Sequence, residues 1–136
     1  MKKRLIIIFA CYFSILLAEG SGKTMLQDCP NKPNCVSSQA KDSKHYIEPI
    51  SFDNKNGDIK KELIDVVQKF DGKILENNEN FLRVAFYSKL FKFEDIADFE
   101  INPEKKIIDV RSAAQTGWYD FGVNRKRIEK IRVALK

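Results

Sequence analysis

Between residues 58 and 70 the apolar side chains fall at Ile59, Leu63, Val66, Val67 and Phe70, while Lys60, Lys61, Glu62 and Asp65 fall largely opposite. That is the period of a helix with one buried stripe, and Asp71-Gly72 supplies its stop. Beyond it the period changes to two. In residues 81–91, Leu82, Val84, Phe86 and Leu90 share one parity and Arg83, Tyr87 and Lys89 the other, which predicts a strand with one covered face. Residues 93–101 and 106–113 read as two further strands, separated by the turn Asn102-Pro103-Glu104-Lys105. A strand at 73–76 pairs with the first of these through Asn77-Asn78-Glu79-Asn80, and residues 45–50 form another short strand before the turn chemistry of 53–57. A second helix begins near Asn124, with Ile128, Ile131 and Leu135 as its apolar stripe. Asn124 is expected to cap it, because its side-chain oxygen can accept a free backbone N–H. The order β-α-β-β-β-β-α predicts an α+β domain: a small antiparallel sheet of about four strands, with both helices packed on its one apolar face.

The first twenty residues have a different character. Met1-Lys2-Lys3-Arg4 is basic, residues 5–17 are almost unbroken apolar chain, and Ala18-Glu19-Gly20 puts small residues at the two positions that a signal peptidase reads. This is the three-part pattern of a signal peptide over residues 1–20. The alternative is a retained anchor, but a run of 13 residues falls short of the roughly 20 that span a bilayer. Cys11 lies in the middle of the run, whereas a lipid-attachment cysteine would end it. The expectation is an exported protein, periplasmic or extracellular, with membrane contact only if the N-terminal segment is retained. Residues 21–44 then form an extended polar segment, and residues 45–136 the α+β domain.

Cys29 and Cys35 are the two cysteines left after cleavage, and an even count in an oxidising compartment favours a disulfide stapling the extended segment. Metal binding is the rival, but zinc wants four ligands and the only histidine is His45. No metal and no cofactor are expected.

Charge narrows the function further. Residues 104–136 hold nine Lys or Arg against four acids, a net of +5, while residues 21–103 hold twelve against fourteen, a net of −2. The positive charge is therefore local, and together with export it argues against nucleic acid as a partner. Gly20-Ser21-Gly22-Lys23-Thr24 imitates part of a phosphate loop, but position 17 is Leu17 where the motif needs glycine. No Gly-x-Ser-x-Gly and no paired histidines occur. The carboxylates Glu94, Asp95, Asp98, Glu100 and Asp109 concentrate on two neighbouring strands crossed by Arg83, Lys89 and Arg111, a pattern that suits a solvated sheet face. An enzyme would have to draw on Arg83, Asp95, Asp98, Asp109 and Arg111 from that face. The leading expectation is instead a non-enzymatic module for an envelope protein or a small anionic ligand. Its site is placed at Arg111, Ser112, Asn124 and Arg125, where a glycine-containing aromatic stretch leads into the N-terminus of the last helix and its free N–H groups.

Three separated motifs carry a resemblance. Cys29-Pro30 with Pro33-Asn34-Cys35-Val36-Ser37-Ser38, the run Lys89-Leu90-Phe91-Lys92-Phe93-Glu94-Asp95 through Asp98-Phe99-Glu100, and Gly122-Val123-Asn124-Arg125-Lys126-Arg127-Ile128 stand in the order found in the "domain of unknown function 1499" family. The likeness covers roughly residues 28–135 and departs at Ala114-Gln115, where the family more often has Ser-Arg. The resemblance implies a small exported or envelope domain, and it brings no activity and no catalytic residues.

Overall fold

The computed structural model describes residues 22–53 and 57–136. The expected signal peptide, Cys11, and the middle of the 53–57 turn lie outside the described residues. Among the described residues no helix is long and apolar enough to cross a membrane.

The elements are β1 (Cys35–Ser37), β2 (Ile50–Ser51), α1 (Ile59–Lys69), β3 (Lys73–Asn77), β4 (Phe81–Tyr87), β5 (Glu94–Asn102), β6 (Ile107–Ala114) and α2 (Val123–Ala134). All pairings between them are antiparallel, in the order β1-β6-β5-β4-β3, and β2 joins the same edge of β6 further along. The α+β class and the meander from β3 to β6 match the sequence pattern, but the sheet has six strands rather than about four. The expected strand at 45–50 shrinks to β2 and a single bridge between Tyr46 and Ser37. The segment read as merely extended contributes β1.

Helix α1 starts where Asp58 accepts a hydrogen bond from the Lys60 N–H (2.9 Å). It ends with Gly72 N donating to Val67 O (2.8 Å) and Asp71 N to Gln68 O (3.0 Å), the paired bonds of a Schellman turn. Asp71 itself takes the left-handed position, at φ 61°. Gly72 is needed for a different reason. A Cβ there would lie 2.7 Å from both Val67 O and Val84 Cγ1, so the chain can pass this close to β4 only without one.

Leu63 and Val67 of α1 and Ile128 and Ile131 of α2 pack on Leu82, Val84, Ala97, Phe99, Ile108 and Val110, forming one core between both helices and one sheet face. The other sheet face is not open. Thr24 Oγ1 and Met25 N donate to the Glu100 carboxylate, and Leu26 is buried beside them, so residues 24–28 lie across this face as a strap. Beneath it Phe81, Ala85 and Ala113 are buried. The Cys29–Cys35 disulfide, with Cα atoms 5.7 Å apart, ties the strap to β1.

Candidate functional site

Side chains alternate along a strand, and this decides the fate of the four residues expected to form one site. Arg111 points to the strap face and Ser112 to the helix face. Asn124 lies within the first turn of α2, fully buried, and is not a cap. Its Oδ1 accepts from Ser112 Oγ (2.6 Å) and from Arg127 Nη1 (2.7 Å), and its Nδ2 donates to Asp120 Oδ2 (2.9 Å). Arg125 is drawn to the side, where its Nη2 donates to the carbonyls of Lys44 (3.1 Å) and Tyr46 (2.9 Å). Arg111 and Arg125 therefore do not converge, and Arg125 holds the 44–46 segment against α2.

The helix N-terminus is also occupied by the chain itself. The N-cap position is Gly122, at φ 74° and without a capping side chain. Asp120, two residues earlier, accepts from Gly122 N (2.9 Å) and Asn124 N (3.0 Å), and its carbonyl accepts from Val123 N (3.1 Å). The donors expected to receive an anion already hold a carboxylate.

On the strap face Arg83, Asp98 and Arg111 are cross-strand neighbours in one row over β4, β5 and β6. Asp98 is only 1% exposed and takes both Arg83 Nε (2.7 Å) and Arg83 Nη2 (3.1 Å). Arg111 is buried as well, and its Nε has no hydrogen-bond partner among the described residues. Burial pulls its guanidinium below the ordinary arginine value, against the attraction of Asp98. A polar cavity of about 180 Å³ lies here, closed by Gln27 and by Gln115.

The acids proposed for an enzyme do not gather either. Asp95 faces the helices and accepts from Arg127 Nη2 (2.7 Å). Asp98 faces the strap, and Asp109 accepts from Ser38 Oγ and Gln39 Nε2 (both 2.8 Å). The solvated face expected from the sequence is thus buried at Asp98 and Arg111.

His45, the lone imidazole, is buried between two acceptors. Nδ1 meets the Asp42 carboxylate at 2.9 Å and Nε2 meets the Lys32 carbonyl at 2.8 Å. Two acceptors suit a ring with both nitrogens protonated. The Asp42 hydrogen bond, then the Lys32 carbonyl, raises its pKa above the ordinary 6.5. A raised folded-state pKa gives stabilisation that is complete below the unfolded value and lost as pH rises through the folded one. The melting-temperature advantage of the natural chain over His45→Ala is therefore expected to be largest below about pH 6.5 and to shrink on the alkaline side. An NMR titration of His45 with a midpoint below 6.5 would contradict the assignment.

The arrangement best suited to a ligand lies elsewhere, between the end of α1 and the start of α2. A cavity of about 420 Å³ opens there over the end of β4. Phe70, Phe86 and Val123 give it an apolar lining, and Lys69, Lys89, Lys126 and Lys130 stand around it with one acid, Asp71. None of these four lysines is in an ion pair among the described residues. Arg127 closes the inner wall, its guanidinium 4.7 Å above the Phe86 ring centre and held by Asp95. Only Lys126 and Lys130, one turn apart on α2, announce this site in the sequence; Lys69 and Lys89 come from distant elements.

Among the described residues no group of three or more His, Cys, Asp or Glu side chains could hold a metal ion. Among curated proteins, none matches the chain. A family match covers residues 25–135, taking in the strap from Met25 on, every strand of the sheet and both helices. By that match the chain belongs to the family described as "Protein of unknown function (DUF1499)".

Proposed function

We propose that the protein is an exported, non-enzymatic binding module whose ligand carries an anionic group beside an apolar portion. The observation that carries this reading is the cavity between α1 and α2, where four lysines with no ion pair among the described residues surround Phe70, Phe86 and Val123. Lysines on a partly enclosed apolar floor attract an anion more strongly than lysines in open water, because the walls lower the effective dielectric. Arg127 supplies a planar donor already fixed by Asp95 and Phe86, so little side-chain entropy is lost on binding. Export is supported by the basic and apolar N-terminus and by the Cys29–Cys35 bridge.

Hexyl phosphate, used below its micelle concentration, is a suitable probe. Calorimetry is expected to show saturable binding that weakens as salt is added. Lys69→Glu/Lys130→Glu, which reverses two charges at the rim, is expected to weaken it at least tenfold while leaving the fold intact. Unchanged affinity in that variant, or no binding by the natural chain, would refute the reading.

A further inference from the structure

The turn between β4 and β5 and the loop between β6 and α2 leave the same end of the sheet, since Tyr87 pairs with Glu94, Asp95 pairs with Ala114, and Gln115 N donates to Glu94 O. Both carry large apolar side chains outward. Leu90 is 80% exposed, Phe121 78%, and Phe91, Phe93, Trp118 and Tyr119 all exceed half. Four of the rings meet in two pairs, Phe91 stacked on Phe93 at 5.5 Å and Tyr119 edge-on to Phe121 at 5.0 Å, while Trp118 stands beside Asn31, Pro33 and His45.

The display is built into the backbone. Ser88 N donates to Phe93 O and Lys92 N to Ser88 O, with Lys92 at φ 54°, which closes the first turn. Phe121 sits at φ 55°, a conformation unusual for an aromatic residue, next to the Asp120 carboxylate that pins the start of α2. Lys89 and Lys92 lie on the first tip, and Lys126, four residues after the second, lines the cavity together with Lys89.

We propose that this end of the domain docks on an anionic phospholipid bilayer, its two loop tips entering the headgroup region while the lysine-lined cavity seats over a lipid phosphate. The seating rests on the anion binding proposed above; the docking itself rests on the tips. Composition and shape choose the partner. Protein interfaces are depleted in lysine at their centre and use a continuous packed patch, whereas rings and leucine projecting from separate tips among lysines match the bilayer interface and its anionic surface. The folded domain makes this contact, independently of the N-terminal apolar run.

Trp118 is the chain's only tryptophan, so its emission reports on one of the tips and on nothing at the N-terminus. The full chain is mixed with vesicles of phosphatidylglycerol and phosphatidylcholine in equal parts, with or without brominated acyl chains. Brominated vesicles are expected to quench Trp118 and shift its emission to the blue, and pure phosphatidylcholine vesicles to do so at least tenfold less. Phe91→Ser/Phe121→Ser is expected to abolish quenching while keeping hexyl phosphate affinity. Lys92→Glu, outside the cavity, should weaken vesicle binding about fivefold or more, and Leu90→Ser provides a second apolar variant. Sedimentation with vesicles without quenching, quenching unaffected by the variants, or tips that serve only a protein contact and ignore vesicles would each overturn the docking. Hexyl phosphate binding that persists in those cases would leave the cavity reading standing, and its loss with vesicle docking retained would remove that reading alone.

Discussion

Replacing Asp98 by alanine is expected to destabilise the fold by about 3–5 kcal/mol, nearer the lower figure because Arg83 reaches partly into solvent. Asp98 is almost wholly buried and balances two arginines at once, Arg83 through two hydrogen bonds and Arg111 through its position across the strand pair. Alanine removes the acid that lies between them and leaves two guanidinium groups facing each other under the strap, with Glu76 3.9 Å from Arg83 as a weaker partner. The cost comes from uncompensated buried charge more than from the bonds themselves. Urea denaturation of the natural chain and the variant measures it, provided the slope with denaturant stays the same. A triple variant, Arg83→Met/Asp98→Leu/Arg111→Met, should recover much of the loss, since it removes the acid together with both charges it balances. A loss below about 1 kcal/mol for Asp98→Ala would place the pair among weak surface ion pairs and refute this account.

Asn124→Ala is expected to cost about 3 kcal/mol, well above the roughly 1 kcal/mol of a lost helix cap. The amide joins β6, the loop and α2 in one buried network through Ser112, Asp120 and Arg127. Alanine leaves the Ser112 hydroxyl and Arg127 Nη1 without the Asn124 Oδ1 acceptor, and each unsatisfied buried group costs about 1–3 kcal/mol. Asp58→Ala, which removes only the side-chain cap of α1, is the matched control and should show the smaller, cap-sized loss. Reversed magnitudes in the two denaturation curves would show that Asn124 acts as a cap after all.

The sequence pattern reaches the regular elements and stops at their joints. The α1 stripe of Leu63 and Val67 and the β4 parity of Leu82, Val84 and Phe86 match the buried set because each repeats over enough residues to fix a period. Leu90 continues that parity in the sequence but lies beyond the strand, since β4 ends at Tyr87 in a turn built without glycine or proline. β1, three residues long, is too short for alternation to register. Asn124 resembles a cap because nothing in the sequence reveals that Gly122 begins the turn and Asp120 fills it. The scattering of Arg111 and Ser112 was legible: adjacent strand residues face opposite ways, so the two could not serve one site. The cavity was not, because Lys69, Lys89 and Lys126 meet only when α1, β4 and α2 are assembled.

The two flanks of the sheet bear on how the chain behaves when crowded with copies of itself. A strand with free N–H and C=O groups along its outer side is a template for aggregation. On the β1 flank, Ser37 N donates to His45 O and Ile47 N to Ser37 O, so the following segment covers that border. On the β3 flank, the register shifts between Ile74 and Glu76, and Lys73 and Glu76 bracket the half-exposed Leu75. A kinked five-residue border whose two apolar residues, Ile74 and Leu75, lie between Lys73 and Glu76 makes a poor template for strand addition. Such a border disfavours cross-β growth in concentrated solution, and among the described residues the exposed aromatic tips offer an apolar surface for self-association.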